Sequence, residues 1–109
     1  MDNLFKSFKD LDLRGGTIIH AELFKEAINP SYKLKIDFGD LGILKSSAQI
    51  TKNYTVEMLV NFQDISIVNF PKKQIANFMS ECLVLGVVKG DSVFLVTPSN
   101  KIADGLKIA

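Results

Sequence analysis

The chain has 109 residues, the length of one ordinary domain, and its 47% hydrophobic and 23% charged content is globular usage that excludes disorder. A net charge of +1 excludes a global electrostatic field for nucleic acid, so any such footprint must be a local patch. The single cysteine excludes an intramolecular disulfide, no run approaches the ~20 apolar residues of a membrane span, and the amino terminus carries Asp2, Lys6, Lys9 and Asp10 where a signal peptide would be apolar. The expected setting is cytoplasmic, with neither export nor anchoring by the chain's own sequence.

From Asp2 to Leu11, the apolar positions Leu4, Phe5, Phe8 and Leu11 recur at helical spacing, with Asp2 or Asn3 as the expected cap. A helix of about two turns is marginal alone in water, so its phenylalanine-rich face must dock on its own domain or on a second subunit. A first strand is predicted from Leu13 to Leu23, with a bulge or bend at Gly15-Gly16 that lets it serve two sides of a curled sheet. Strict alternation over Tyr32 to Phe38 puts Leu34, Ile36 and Phe38 on one face and Lys33, Lys35 and Asp37 on the other. Gly39 to Gly42 supplies the turn, and Ile43 to Ile50 returns as the antiparallel partner. A helical turn over Thr55–Val60, capped by Thr55 or Asn53, precedes a strand from Gln63 to Asn69. Glu81–Val88 and Ser92–Thr97 read as two further strands joined by Lys89-Gly90-Asp91, and Ile102 to Ile108 as a turn and a short extended tail. Short strands, one intervening helical turn and no βαβ rhythm predict an all-β fold, a Greek-key barrel of the OB type with a short N-terminal helix.

The stretch from Val68 to Glu81 stands out within that pattern. An apolar strand runs into Pro71, which has no N–H for a ladder, and the turn exposes Lys72 and Lys73 between Phe70 and Phe78. Positive charge interleaved with rings suits a single nucleic-acid strand, and a lysine-tipped turn is the plainer alternative. Catalytic chemistry finds no residues to carry it. His20, the one histidine, has no nucleophile or metal-ligand partner spaced around it and reads as structural or surface, and the acidic residues are scattered at strand ends. Cys82 reads as a small buried hydrophobe. No catalytic residue, metal or cofactor is expected.

Four blocks in order, Asp12 to Ile18, Lys33 to Gly39, Lys45 to Tyr54 and Asn69 to Glu81, resemble the tRNA-binding domain family. That family includes the carboxyl-terminal appendix of some methionyl-tRNA synthetases, free-standing tRNA-binding proteins and a branch of small bacterial export-related chaperones. The chaperone branch looks nearest, because Ala48-Gln49 stands where the tRNA-binding relatives write Ser-Gly. The chain also has Pro30 at a lysine position of those relatives, Lys72-Lys73 in place of an arginine-bearing run, and Cys82-Leu83 in place of Gly-Met. The resemblance covers about Leu4 to Ala109 and implies an OB barrel and a homodimer. It supports one domain over residues 1–109, made of a helix (1–11) and a barrel with a C-terminal dimerisation extension (12–109).

Two functions of different class follow. In the first, a dimer holds unfolded or preprotein segments for the export machinery in an apolar groove, with Phe70, Phe78 and Met79 as adaptable contacts. In the second, the same surface binds tRNA or single-stranded RNA, with Lys45, Lys72 and Lys73 on phosphates and Asn69 and Ser80 on sugar or base. The expected dimer interface is Leu4, Phe5, Phe8, Ile102, Leu106 and Ile108, more apolar surface than one small barrel needs to cover.

Overall fold

A computed structural model describes residues 2–109. Helix α1 spans Asp2–Asp10, and strands β1 (Leu13–Leu23), β2 (Tyr32–Asp37) and β3 (Ile43–Ala48) follow, with a 3-10 turn at Gly39–Leu41 between the last two. Helical turn α2 (Val56–Leu59) precedes β4 (Gln63–Ile67), and β5 (Lys73–Ile75) and β6 (Phe78–Ser80) form a hairpin. Strands β7 (Leu83–Val84), β8 (Gly86–Lys89) and β9 (Ser92–Leu95) complete the chain's order. The main sheet runs β3-β2-β1-β4-β7, all antiparallel, and curls until β3 lies beside β7. This is an all-β, OB-like barrel, as the alternation and the missing βαβ rhythm predict.

β1 serves two sides as expected, since Leu13 to Thr17 pair with β4 and Thr17 to Leu23 with β2. The bulge, however, lies between Ile18 and His20, at Ile19, and not at the glycines. Gly15 and Gly16 are there for close approach. A Cβ on Gly16 would lie 2.7 Å from the Phe38 ring, and one on Gly15 would lie 2.5 Å from Ile102. Thr55, of the two expected caps, takes the role in α2 by accepting from the Met58 N–H, while Asn53 donates its side-chain amide to the Val93 carbonyl. Asp2 and Asn3 lie inside α1, so its cap falls outside the described residues.

The alternation of β4 misleads about burial. All five of its residues are buried, because one face looks into the barrel and the other lies under the chain's end. Inside, Ile18, Leu34, Ile36, Phe38 and Leu59 pack the core. Outside, Leu13, Ile65 and Ile67 form a second apolar cluster joined by Leu85, Val96 and Ile108. The tail reaches it by pairing with the free edge of β1, through Gly15 N–H to Leu106, Gly105 N–H to Gly15 and Ile108 N–H to Leu13. Gln63 fixes the approach, its amide donating to the Ile102 carbonyl and its carbonyl accepting the Ile102 N–H.

Several predicted strands are shorter or broken: the return strand ends at Ala48 short of Ile50, and the last at Leu95 short of Thr97. The strand expected to reach Asn69 ends at Ile67, and Glu81–Val88 divides at Leu85, which donates to Ile65 and accepts from Val96 instead of continuing a ladder. β7 therefore pairs with β4, while β8 pairs with β9. Within the segment from Val68 to Glu81, Lys73–Ile75 and Phe78–Ser80 pair as a hairpin. Its tip, Ala76-Asn77, holds Ala76 at φ 50°, a left-handed conformation that favours glycine.

Candidate binding face and groove

Among the described residues, the main sheet has no backbone ladder between β3 and β7, and three side-chain bonds with a single main-chain bond close the barrel there. Glu81 Oε1 accepts the Lys45 N–H at 2.9 Å, Ser80 Oγ accepts the Ser47 N–H at 3.1 Å, and Ser46 Oγ donates to the Cys82 carbonyl at 2.9 Å. The Glu81 N–H returns a bond to the Lys45 carbonyl. These bonds hold the β5–β6 hairpin across β3. Beyond Ser47 the strands part and leave a cavity of about 520 Å³.

That groove is largely apolar. Ile50 and Val84 stand on its walls, Val93 and Leu95 beneath, and Phe70 and Ile75 beside the hairpin. Lys73 is its one cationic residue and makes no ion pair among the described residues. Of the residues expected to bind ligand, the structure brings Phe70, Lys73 and Ser80 to this groove. Met79 and Gln74 are opposite each other in the hairpin, on the face away from Lys73 and Ser80.

Phe78, Lys45 and Lys72 gather elsewhere, on the outer face of β2 and β3. Lys35 stands directly opposite Lys45, a like-charge pair that costs stability, and neither makes an ion pair among the described residues. Lys33 and Lys45 lie over the Phe78 ring at 5.5 and 5.3 Å, and Lys33 also lies 4.8 Å over Phe24. Phe24 meets Phe78 edge to face at 5.5 Å. Lys72 approaches Glu81 Oε2 at 3.7 Å. Asn69 is spent on structure, since its amide bonds both the Asp10 carbonyl and the Asp12 N–H and ties α1 to β1.

Sequence reasoning does not single out Lys33, Lys35, Phe24 or Glu81 as ligand or site-building residues. The alternation over Tyr32 to Phe38 marks both lysines as one polar face, but only the strand register shows Lys35 against Lys45. Cys82 sits under the groove, and burial pushes its thiol up to about 12, with the nearby Asp64 charge adding to the shift, so it is an inert wall residue. His20 is exposed on β1 beside Glu22. No group of His, Cys, Asp and Glu side chains among the described residues could hold a metal.

The expected dimer residues divide. Leu4 and Phe5 are 74% and 65% exposed, Phe8 is also exposed, and every position of α1 from Asn3 to Asp10 faces solvent. Leu106 is exposed too, whereas Ile102 and Ile108 are half-buried on their own barrel.

A small curled barrel with a lysine face and an adjoining apolar groove is a binding module by construction. The chain belongs to the putative tRNA binding domain family, whose model matches residues 13–107. Among solved structures it is similar to the chaperone CsaA from Bacillus anthracis, at 51% identity over 96% of each chain with a TM-score of 0.93. It is also similar to the CsaA chaperone protein from Picrophilus torridus, at 52% identity, 96% of this chain, 97% of that one and a TM-score of 0.90. A methionine–tRNA ligase of Porphyromonas gingivalis is 31% identical over 108 residues, 98% of this chain and 16% of the ligase. The chain thus spans about a sixth of the length of the ligases it matches. Among the described residues, no helix is long and apolar enough to cross a membrane.

Proposed function

We propose that this chain is a cytoplasmic, non-catalytic chaperone that works as a homodimer, holding unfolded or preprotein segments in support of protein export. The apolar groove between β3 and the β7–β8 corner carries this reading, because it offers an extended segment burial with only one charge at its edge. The similarity to proteins described as CsaA chaperones supports it. Calorimetry of the chain with an unfolded preprotein is the direct test, and no heat at micromolar concentration removes the idea. A second subunit is the partner that α1 fits, since its apolar positions lie off its own barrel. Light scattering should return twice the monomer mass, falling to the monomer for Phe5→Asp.

A specific observation favours a second reading, binding of tRNA or single-stranded RNA. Lys35 faces Lys45 across the β2–β3 ladder without a carboxylate between them, and Lys72 and Lys73 flank the hairpin beside that face. On an OB barrel, strands 2 and 3 are where oligonucleotides lie. Removing one phosphate-binding lysine should lower the slope of log affinity against log salt by about 1. Lys45→Ala and Lys72→Ala are the variants to measure, and an unchanged slope takes that lysine out of the site.

A further inference from the structure

A single bulge decides which way His20 points. Between Ile18 and Ala21, β1 carries one residue more than the facing stretch of β2, since Ile18 pairs with Ile36, His20 with Lys35 and Ala21 with Leu34. Strict alternation from the buried Ile18 would turn residue 20 into the barrel. The extra residue, Ile19, returns Ala21 to the core and sends His20 to the outer face, where it is exposed. There the register lines up three basic side chains on adjacent strands, His20 on β1, Lys35 on β2 and Lys45 on β3. Neighbouring strands lie about 4.8 Å apart, so this row spans about 10 Å and a backbone laid across the strands can meet all of it.

We propose that protonated His20 is the third cation of the lysine face, holding a phosphate of single-stranded RNA alongside Lys35 and Lys45, so that the face grips RNA more tightly as pH falls. This rests on the RNA reading of that face and adds to it a residue and a control by pH. Imidazole is the side chain whose charge ordinarily changes between about pH 5 and 8, so the row offers two charges at the upper end of that range and three at the lower. The charged groups around His20 set how much of the third charge a phosphate meets. Glu22 Oε1 lies 3.4 Å from His20 Nε2 and competes with the phosphate, whereas Lys35 across the ladder attracts it. Lys33 stands opposite Glu22, but its ammonium is engaged by the Phe24 and Phe78 rings and approaches Glu26 at 3.8 Å. Helical turn α2, packed on β1, brings one charged side chain, the exposed Glu57.

The test titrates the full chain into a dye-labelled uridine oligonucleotide without terminal phosphates, at pH 5.5 and pH 7.5 over a range of salt, and reads fluorescence anisotropy. The native chain should bind about five- to tenfold more tightly at pH 5.5. Its slope of log affinity against log salt should be steeper there by about 0.7, the share of one more cation on a single strand. His20→Gln should keep the affinity at pH 7.5 and lose the gain, and His20→Lys should bind at both pH values as the native chain does at pH 5.5. Glu22→Gln should enlarge the gain by removing the competing carboxylate. Asp64, its carboxyl pushed up to about 7, also titrates in this window but inside the barrel, so Asp64→Asn should leave the gain intact. A gain that survives in His20→Gln and vanishes in Asp64→Asn overturns the proposal. So does an acidic peptide that displaces the oligonucleotide with the same dependence on His20, which would assign the face to protein. Equal affinity at both pH values removes His20 and leaves the RNA reading standing; no binding at either pH ends both.

Discussion

The barrel has two seams of opposite construction. Between β1 and β4 the backbone closes it with a regular ladder from Leu13 to Thr17, glycines let the layers approach, and the tail seals the outside. Between β3 and β7 one main-chain bond, Glu81 N–H to the Lys45 carbonyl, and the side chains of Glu81, Ser80 and Ser46 bridge the strands, and they stop at Ser47. A ladder fixes residues by packing and leaves no room for a ligand. Side-chain closure leaves main-chain groups unspent and a groove beside them, so the candidate binding surfaces lie there.

The contrast is most sharply probed inside the closed seam. Asp64 lies opposite Gly16, fully buried, with Oδ2 accepting from Ser66 and Oδ1 without a partner among the described residues. Burial is the main cause that pushes its carboxyl up to about 7, from an ordinary 3.8. The folded state therefore holds this proton more tightly than the unfolded chain. Its contribution is complete below about pH 4, falls as pH rises towards 7 and is flat above, a loss on the order of 4 kcal/mol. Urea titrations at pH 5 and pH 8 should show roughly two thirds of that decline, about 3 kcal/mol, in the native chain and a much smaller one in Asp64→Asn. A decline of equal size in the variant would assign it to other groups.

Gly16→Ala comes next. Its methyl group would collide with Phe38 and Ile36, both fully buried, and should cost about 3 kcal/mol with the melting temperature read by circular dichroism. In the open seam, Glu81→Ala should cost less, about 1–2 kcal/mol, by stranding the Lys45 N–H, and Glu81→Gln should recover most of it because the amide oxygen still accepts. If Glu81→Ala proves as costly as Gly16→Ala, the two seams are not different in kind. The smallest effect is a gain. Ala76→Gly should add roughly 0.5–1 kcal/mol by relieving a left-handed alanine at the hairpin tip, measured as a shift of the urea midpoint.

Local pattern makes much of this legible. The alternation of Tyr32 to Phe38 fixes which face of β2 is buried, and Thr55 caps its helical turn from three residues away. The four ordered blocks carry the family. Other features depend on residues far apart in the chain. The polar Gln63, Asp64 and Ser66 have the character of solvent-facing positions, yet Gln63 is buried because a tail some 40 residues on covers that face of the strand, and Asp64 and Ser66 because the curl of the sheet turns the other face inward. Asn69 reads in sequence as an RNA contact, yet both ends of its amide are occupied by the junction of α1 and β1. Phe78 and Met79 read as one apolar unit with Phe70, but alternation in a short hairpin separates them.

By itself the sequence determined the periodicities, the turns, the modest net charge and the single buried thiol, because each depends on neighbours within a few residues. Only the tertiary structure decided that Lys35 would oppose Lys45, that Glu81 and Ser80 would stand in for a missing strand, and that the edge at Gln49 would stay open. Register and closure are set by interactions across the barrel, and such interactions leave no local trace in the chain.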